Sequence, residues 1–184
     1  MKPYINIPHS ERLHFRLMDE KDADLLFELD QDPEVMRYLN DGKPTPREDI
    51  DNYFIPRMMD FTDAEAGCGL WSMEDRENAE CLGWILVRPY GFSTDYCEMD
   101  NLELGWRTRR SHWNKGLTTE GATAIINVLK ELRPEINKFS AIVDADNIAS
   151  VAVAKKLGMT FKKYTQHVTP KATFDVDYYD MPAR

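Results

Sequence analysis

The apolar residues of this chain change their spacing repeatedly, between the two-residue repeat of a strand and the 3.6-residue repeat of a helix. RLHFRLM alternates apolar and polar side chains, whereas DEKDADLLFEL places its leucines on one side of a helix. Further along, the strand pattern DNLELGWRT is followed by the helical pattern LTTEGATAIINVLKEL. The predicted order is β-α-α-α-β-β-β-α-β-α-β-β, an α/β chain with a mixed sheet covered on both faces.

Short local signals predict where several helices begin and end. Thr45 and Pro46 are a typical cap and first residue, and Glu48 completes a capping box. Pro56 is expected to end or kink that helix. Gly158 is expected to close the helix NIASVAVAKKL as the residue after its C-cap.

The length and composition predict a single soluble domain. The 184 residues contain no linker or repeat, so residues 1–184 are expected to form one domain. No apolar run approaches the ~20 residues of a membrane span and no secretory signal opens the chain, so a cytoplasmic location without a membrane partner is expected. A net charge of −9 speaks against a nucleic-acid partner and is compatible with a cationic substrate such as an amine.

The cysteines and histidines do not have the spacing of metal ligands. Cys68, Cys81 and Cys97 are far apart, without a CxxC pair, which favours reduced thiols that serve in packing. The four histidines are scattered, and neither HExxH nor a complete calcium loop occurs. No metal is expected.

A basic segment precedes the long helix. From Trp106 to Thr119 there is no acidic residue, and Gly116 stands where the helix is about to start. A helix N-terminus presents free main-chain N–H groups and the positive end of its dipole, so this segment predicts a site for an anion such as a phosphate. It is neither a GxxxxGK[ST] loop nor a GxGxxG loop. A glycine in a loop beside a solvated basic patch remains the alternative.

Two motifs together resemble a known family. ELGWRTRRSHWNKGLTTEGA, followed by NIASVAVAKKLGM, is similar to the GCN5-related N-acetyltransferase (GNAT) family, in particular its ribosomal-protein (RimJ/RimL-like) branch. The opening SERLHFRLMDEKDADLLFELDQDPEVMRYL and the closing YYDM also resemble that branch. The resemblance implies a single-domain GNAT fold, with a mixed, mostly antiparallel sheet splayed at its centre and helices on both faces.

The resemblance also implies that the anion is the diphosphate of acetyl-CoA, a co-substrate. Gly116 matches the glycine of the family's phosphate loop, while Asn114 and Thr118 depart from its small residues, although asparagine tolerates the left-handed conformation. The main chain of residues 104–106 would pair with the pantetheine arm and polarise the thioester carbonyl. The implied acetyl-CoA ligands are Leu104, Gly105, Trp106, Arg109, Arg110, Trp113, Asn114, Lys115, Gly116, Leu117, Thr118, Asn147 and Lys156. By themselves, Asn147 is also a helix cap and Lys156 also a solvated lysine.

The catalytic groups follow from the same resemblance. Glu103 matches the family's general base, but it can equally be a surface carboxylate or an ion-pair partner of Arg107. Many members carry a tyrosine as general acid where this chain has Ala154, so Ser150 is the candidate that protonates the leaving thiolate.

The implied function is an N-acetyltransferase that passes an acetyl group to a primary amine by direct attack in a ternary complex. The amine is a protein N-terminus or a small molecule, and the alternative function is a non-catalytic CoA-binding sensor or interaction module. The acceptor groove is expected between residues 32–53 and residues 90–97. Its acidic side chains would attract a cation: Asp30, Asp32, Glu34 and Asp41. Monomer and homodimer both remain possible.

Overall fold

The computed structural model describes residues 4–92, 94–168 and 173–184, with the side chain of Asp41 outside the description. One seven-stranded sheet runs through the molecule in the order β1-β2-β3-β4-β5-β7-β6. Its strands are β1 Leu13–Leu17, β2 Gly69–Asp75, β3 Cys81–Tyr90, β4 Glu98–Thr108, β5 Lys138–Val143, β6 Thr160–Val168 and β7 Thr173–Pro182. The helices are α1 Ala23–Leu29, α2 Pro33–Met36, α3 Arg47–Asp49, α4 Ile55–Phe61, α5 Leu117–Leu132 and α6 Ile148–Lys156. This order confirms the predicted succession of strands and helices.

The sheet opens at its centre, between β4 and β5. These two strands are parallel and pair only from Asn101 to Glu103, opposite residues 138–140. Beyond that point β4 stays with β3, and β5 stays with β7. The adjacent halves of β4 and β5 therefore diverge into a wedge, as the resemblance implied. All other strand pairs are antiparallel.

Each face of the sheet has its own apolar core. Leu102 and Leu104 of β4 pack with Ile125 and Leu129 of α5 on one face. On the other face the side chains of α1 and α4 pack on β2 and β3 around Trp84. Because alternate residues of a strand point to opposite faces, Glu103 lies on the side of α1–α4. The helices thus cover both faces, and Glu103 is separated from the α5 side by the sheet itself.

The expected start of the third helical segment was wrong, and so was the first of the two effects expected of Pro56, the end of the helix. Its first helix begins at Arg47 with Pro46 as its cap residue and no side-chain capping bond, because the Thr45 hydroxyl donates to Asp30 instead, at 2.6 Å. Pro56 does not end the segment, since the chain passes through a π-helical turn over Ile50–Phe54 and continues as α4. A π turn shifts the hydrogen-bond pattern by one residue just before the proline, where a regular helix would be disrupted.

Candidate functional site

The loop between β4 and α5 has the backbone of an anion site. Asn114 and Gly116 both take the left-handed conformation, with φ of 60° and 75°. Throughout the described part of the chain, no acceptor receives a hydrogen bond from the amides of residues 114–119. Alternating left-handed residues gather successive N–H groups into a concave nest, which the first turn of α5 extends. The predicted loop residues are therefore brought together with their donors free.

Two side chains fasten this loop to the end of β4. The Trp113 indole N–H donates to the carbonyl oxygen of Thr108 at 2.7 Å. The hydroxyl groups of Thr108 and Thr118 lie 2.9 Å apart and share a hydrogen bond. Leu117 is buried in the core beneath the loop. These three candidate side chains hold the loop in shape, which leaves the main chain as the anion-binding surface.

The cationic side chains around the loop do not form the single basic patch that their closeness in the sequence suggests. Arg109 donates to the carbonyl of Cys81 at 2.8 Å and to Glu28 at 3.1 Å, and Arg110 pairs with Asp32 at 2.9 Å. Arg109 therefore contacts α1, and Arg110 contacts the residue that caps α2. Lys115 is exposed, and no carboxylate within the described ranges forms an ion pair with it.

Sequence reasoning missed Arg12, which lies directly at the loop. Its guanidinium donates to the carbonyl of Lys115 at 2.9 Å and pairs with Glu120 at 2.6 Å. Arg12 precedes β1 and is more than a hundred residues away in the sequence. No local pattern distinguishes it from other exposed arginines, so only the packing of β1 beside the loop reveals it.

A surface groove of about 470 Å³ leads from this loop along the outside of α5. Gly116, Thr119 and Thr123 line it on one side, and Lys156 at the end of α6 lines it on the other. Gly116 and Lys156 belong to the two separate motifs of the sequence. The fold brings them to one groove.

On the same face of the sheet, a side-chain bond connects β4 with α6 across the wedge. The Trp106 indole N–H donates to the Ser150 hydroxyl at 3.3 Å. Asn147 caps α6 by accepting the amide of Ser150 at 3.1 Å, which is the structural role that its sequence position allowed. Ala154 is fully buried one turn further along. Ser150 is thus the polar side chain of α6 that contacts the strand proposed to line the pantetheine arm.

A second cleft, of about 440 Å³, lies on the opposite side of the wedge. Six of its lining residues are Arg57, Arg88, Tyr90, Phe92, Glu103 and His167. Glu103 is buried and accepts two hydrogen bonds from Arg88, from Nε at 3.2 Å and from a terminal nitrogen at 2.9 Å. Arg88 in turn lies over the ring of Phe61, 5.7 Å from its centroid. Glu103 is therefore the carboxylate at the base of this cleft.

The expected alternative partner of Glu103 was wrong. Arg107 pairs with Asp30 and lies over the Trp84 ring, 5.0 Å from its centroid. Glu103 pairs with β3 because Arg88 stands directly opposite it in the antiparallel register. That register depends on the irregular β3–β4 connection, which the sequence pattern does not specify.

His167, like Arg57 and Arg88, is a residue of this cleft that sequence reasoning missed. It lies at the end of β6, one residue beyond the predicted strand TFKKYTQ. Burial lowers the pKa of His167, Glu103 opposes this effect, and Arg88 and Arg57 add to it. A neutral imidazole therefore faces the same cleft as Glu103.

The acidic residues expected to attract a cationic acceptor are occupied elsewhere. Asp30 is buried against Arg107 and Thr45. Asp32 caps α2 and pairs with Arg110, and Glu34 lies 3.8 Å from Arg37. The side chain of Asp41 lies outside the described residues. Of the two segments expected to form the acceptor groove, residues 90–92 line the second cleft, whereas none of the described residues 32–53 is among those that line it.

The described residues form neither a cluster of metal ligands nor a membrane-spanning helix. No group of three or more histidine, cysteine or acidic residues within them could hold a metal ion. None of the helices in the described ranges combines the length and apolar character needed to cross a bilayer.

Comparisons with known proteins agree on one family. A family model described as an acetyltransferase (GNAT) domain matches residues 12–160. YkkB of Bacillus subtilis (strain 168) is 30% identical over 158 residues, which cover 84% of this chain and 85% of YkkB.

Solved structures are similar over almost the whole chain. An acetyltransferase of the GNAT family from Bacillus anthracis has a TM-score of 0.73 at 23% identity and covers 98% of this chain and 99% of its own. The aminoglycoside acetyltransferase AAC(6')-Ib, solved in complex with coenzyme A, has a TM-score of 0.69 at 19% identity and covers 92% and 94%. At these identities the similarity concerns the fold.

Proposed function

This chain belongs to the GNAT acetyltransferase family and is an N-acetyltransferase of that type, and we propose that it moves the acetyl group of acetyl-CoA to a primary amine by direct attack in a ternary complex. Within the family we place it beside the ribosomal-protein branch, on the motifs that carried the resemblance. We further propose a single catalytic domain, working in the cytoplasm as a monomer or homodimer.

The observation that carries this proposal is the row of unpaired amides at residues 114–119, next to the wedge between β4 and β5. The amides bind the diphosphate, and the free edge of Leu104–Trp106 binds the pantetheine arm as an added strand would. The groove that joins Gly116 to Lys156 adds a cation beside the same ligand. Donors, space and charge therefore fit the co-substrate on one continuous surface.

The amine approaches from the cleft that contains Glu103 and His167. Its nitrogen attacks the thioester carbonyl carbon, the C–S bond breaks, and one proton leaves the nitrogen while another reaches the thiolate. Glu103 accepts the amine proton directly or through water, in a carboxylate position fixed by Arg88. Main-chain N–H groups of β4 beside the wedge stabilise the charge that develops on the carbonyl oxygen.

Ser150 supplies the proton for the thiolate. Its hydroxyl oxygen already accepts the hydrogen bond of Trp106, so its own hydrogen is available as a donor. Ala154 offers no proton at the position where many family members carry a tyrosine.

The first test measures CoA binding by calorimetry, with a pair of substitutions that isolates one amide. Thr118→Pro removes a loop N–H in the first helical turn, whereas Thr118→Val removes only the hydroxyl that contacts Thr108. We expect Thr118→Pro to weaken CoA binding about ten- to hundredfold, the usual effect of one hydrogen bond to a charged group, and Thr118→Val to change it much less. Wild-type protein without a binding signal for CoA would overturn the proposed site.

The second test follows the release of free thiol from acetyl-CoA with a panel of primary amines. An enzyme releases thiol at a rate that depends on the acceptor, and acetylated amine accumulates in equal amount. A CoA-binding module without catalysis would bind CoA in the first test and show no acceptor-dependent thiol in the second.

A further inference from the structure

The cleft that contains Glu103 also contains an arginine without an acidic partner. Arg57, half-buried on α4, lines this cleft and donates to the Tyr53 hydroxyl at 2.7 Å. No carboxylate in the described parts of the chain forms an ion pair with its guanidinium. An arginine in a concave site presents a planar fork of donors that matches a carboxylate.

The two carboxylates that line the cleft in the described residues are already paired, so neither adds an uncompensated negative charge that would attract a cationic acceptor. Glu103 is bound to Arg88, and Glu98 pairs with Lys138 at 3.1 Å and accepts from Asn101 at 2.9 Å. A polycation would have to compete with these bonds. The local charge of the cleft is therefore opposite to what the net charge of −9 suggests.

The positive charges of Arg57 and Arg88 both act on His167 in this cleft. Both arginines lower the pKa of His167, while Glu103 raises it, although burial is the main cause of its shift. His167 therefore lies within electrostatic range of both Arg57 and Glu103, and all three line the same cleft. A small ligand in the cleft can contact both groups, and a volume of about 440 Å³ suits a small molecule.

We propose that the natural acceptor is a small amine that also carries an acidic group, a carboxylate or its chemical equivalent, which Arg57 binds while the amine faces Glu103. The proposal rests on the proposed N-acetyltransferase function and names the substrate class of that same site. The aromatic side chains of Tyr90 and Phe92 line the same cleft. Acceptors that carry an apolar or aromatic side chain next to the amine and the acid fit this lining best.

The experiment compares matched acceptors in the thiol-release assay. Amino acids with aromatic or apolar side chains are each assayed beside the corresponding amide, which keeps the side chain but removes the negative charge. Rates are compared per concentration of neutral amine, because the α-amine of an amide is less basic than that of the acid. We expect kcat/KM to be about ten- to hundredfold higher for the acids, the range of a charge-assisted hydrogen bond.

Variants assign this preference to Arg57. Arg57→Gln should lower kcat/KM for the acids to the level of the amides and leave kcat/KM for the amides nearly unchanged. Arg57→Lys should restore part of the preference for the acids. Lys130→Gln on α5 removes a cation that does not line the cleft and is expected to keep the wild-type preference.

Two results overturn the proposal and leave the proposed function intact: amides or simple amines turn over as fast as the acids, or Arg57→Gln slows both classes equally. If no amine of either class releases thiol, the proposed function and this proposal fail together. CoA binding measured on the same protein separates that outcome from a misfolded sample.

Discussion

Arg88 and Glu103 form a buried ion pair whose two side chains are only 10% and 6% exposed. Removing one partner leaves a charge in a site from which water is largely excluded, whereas removing both leaves an apolar contact between β3 and β4. Arg88→Met is therefore expected to lower the free energy of unfolding by about 3–5 kcal/mol. The double variant Arg88→Met with Glu103→Leu should recover most of that loss.

Denaturant unfolding of the two single variants and the double variant measures this coupling. Additive losses would contradict it, because they would mean that the two side chains contribute independently.

His167 makes a prediction about pH. Since burial lowers the pKa of His167 below its ordinary value of 6.5, the unfolded chain binds a proton that the folded chain does not bind just below that pH. The stability of the protein should therefore decrease as the pH falls from about 7 to about 5, and His167→Asn should make this part of the curve shallower. Thermal unfolding at several pH values gives the slope, and an identical slope in both proteins would contradict the argument.

Single residues show what the sequence can and cannot specify. The left-handed conformation of Asn114 is one that asparagine tolerates, and capping is one of the two roles expected of Asn147, so both agree with local chemistry. The partner of Glu103, and the positions of Arg12 and His167 at the site, depend on strand register and on chain segments far apart in sequence. No short pattern contains that information.

Among the elements, the loop before α5 depends most on one conformation. A Cβ at Gly116 would have only an Arg12 nitrogen nearby, at 3.8 Å, so the cost of a side chain comes from the φ of 75° and not from a clash. Gly116→Ala should lower stability by about 1–2 kcal/mol and weaken CoA binding, because the loop relaxes away from the nest. Gly116→Asn should lose less of both, since asparagine tolerates this conformation.

Unfolding and CoA titration of the two variants, side by side, test this prediction. Equal losses for alanine and asparagine would show that the absence of any side chain matters and not the backbone conformation.

Helix α5 shows which properties of a helix the spacing of its apolar residues can predict. Its bounds, Leu117–Leu132, are those of the predicted helical pattern. The spacing of the apolar residues predicts Leu132 on the buried side and leaves Ala122 and Ile126 off it. The structure corrects this, because Ala122 and Ile126 are buried while Leu132 is 52% exposed. The rotation of a helix is decided by the side chains that it meets, here those of β4 and β1, and the sequence of the helix alone does not contain them.

For the whole molecule, CoA bound at the wedge is expected to raise the free energy of unfolding. CoA that binds only the folded chain should add about 2.7 kcal/mol to the free energy of unfolding at a concentration of one hundred times its Kd. Because Thr118→Pro is expected to raise the Kd for CoA, it should need a CoA concentration higher by the same factor for the same increase in the free energy of unfolding. Unfolding curves at increasing CoA concentration measure the effect, and curves that do not shift would contradict binding at this site.

The sequence specified the order of the elements, and its resemblance to a family specified the splayed sheet. It did not specify the character of the acceptor cleft. An excess of acidic residues suggested a cationic partner, yet these side chains form caps and ion pairs, and the cleft contains Arg57 instead. Net charge sums over a surface, while recognition depends on the few groups that the fold leaves unpaired.

The short pairing of β4 with β5 also affects how the protein exchanges hydrogen with solvent. The middle of a sheet is ordinarily the slowest region to exchange, because each amide is bonded on the neighbouring strand. Here only three residue pairs join the two central strands. The rest of β4 therefore has an unpaired edge in the centre of the sheet. In deuterated water the main-chain hydrogens of Leu104–Thr108 that point away from β3 should be replaced as fast as those of an outer strand, until a bound thioester arm covers them.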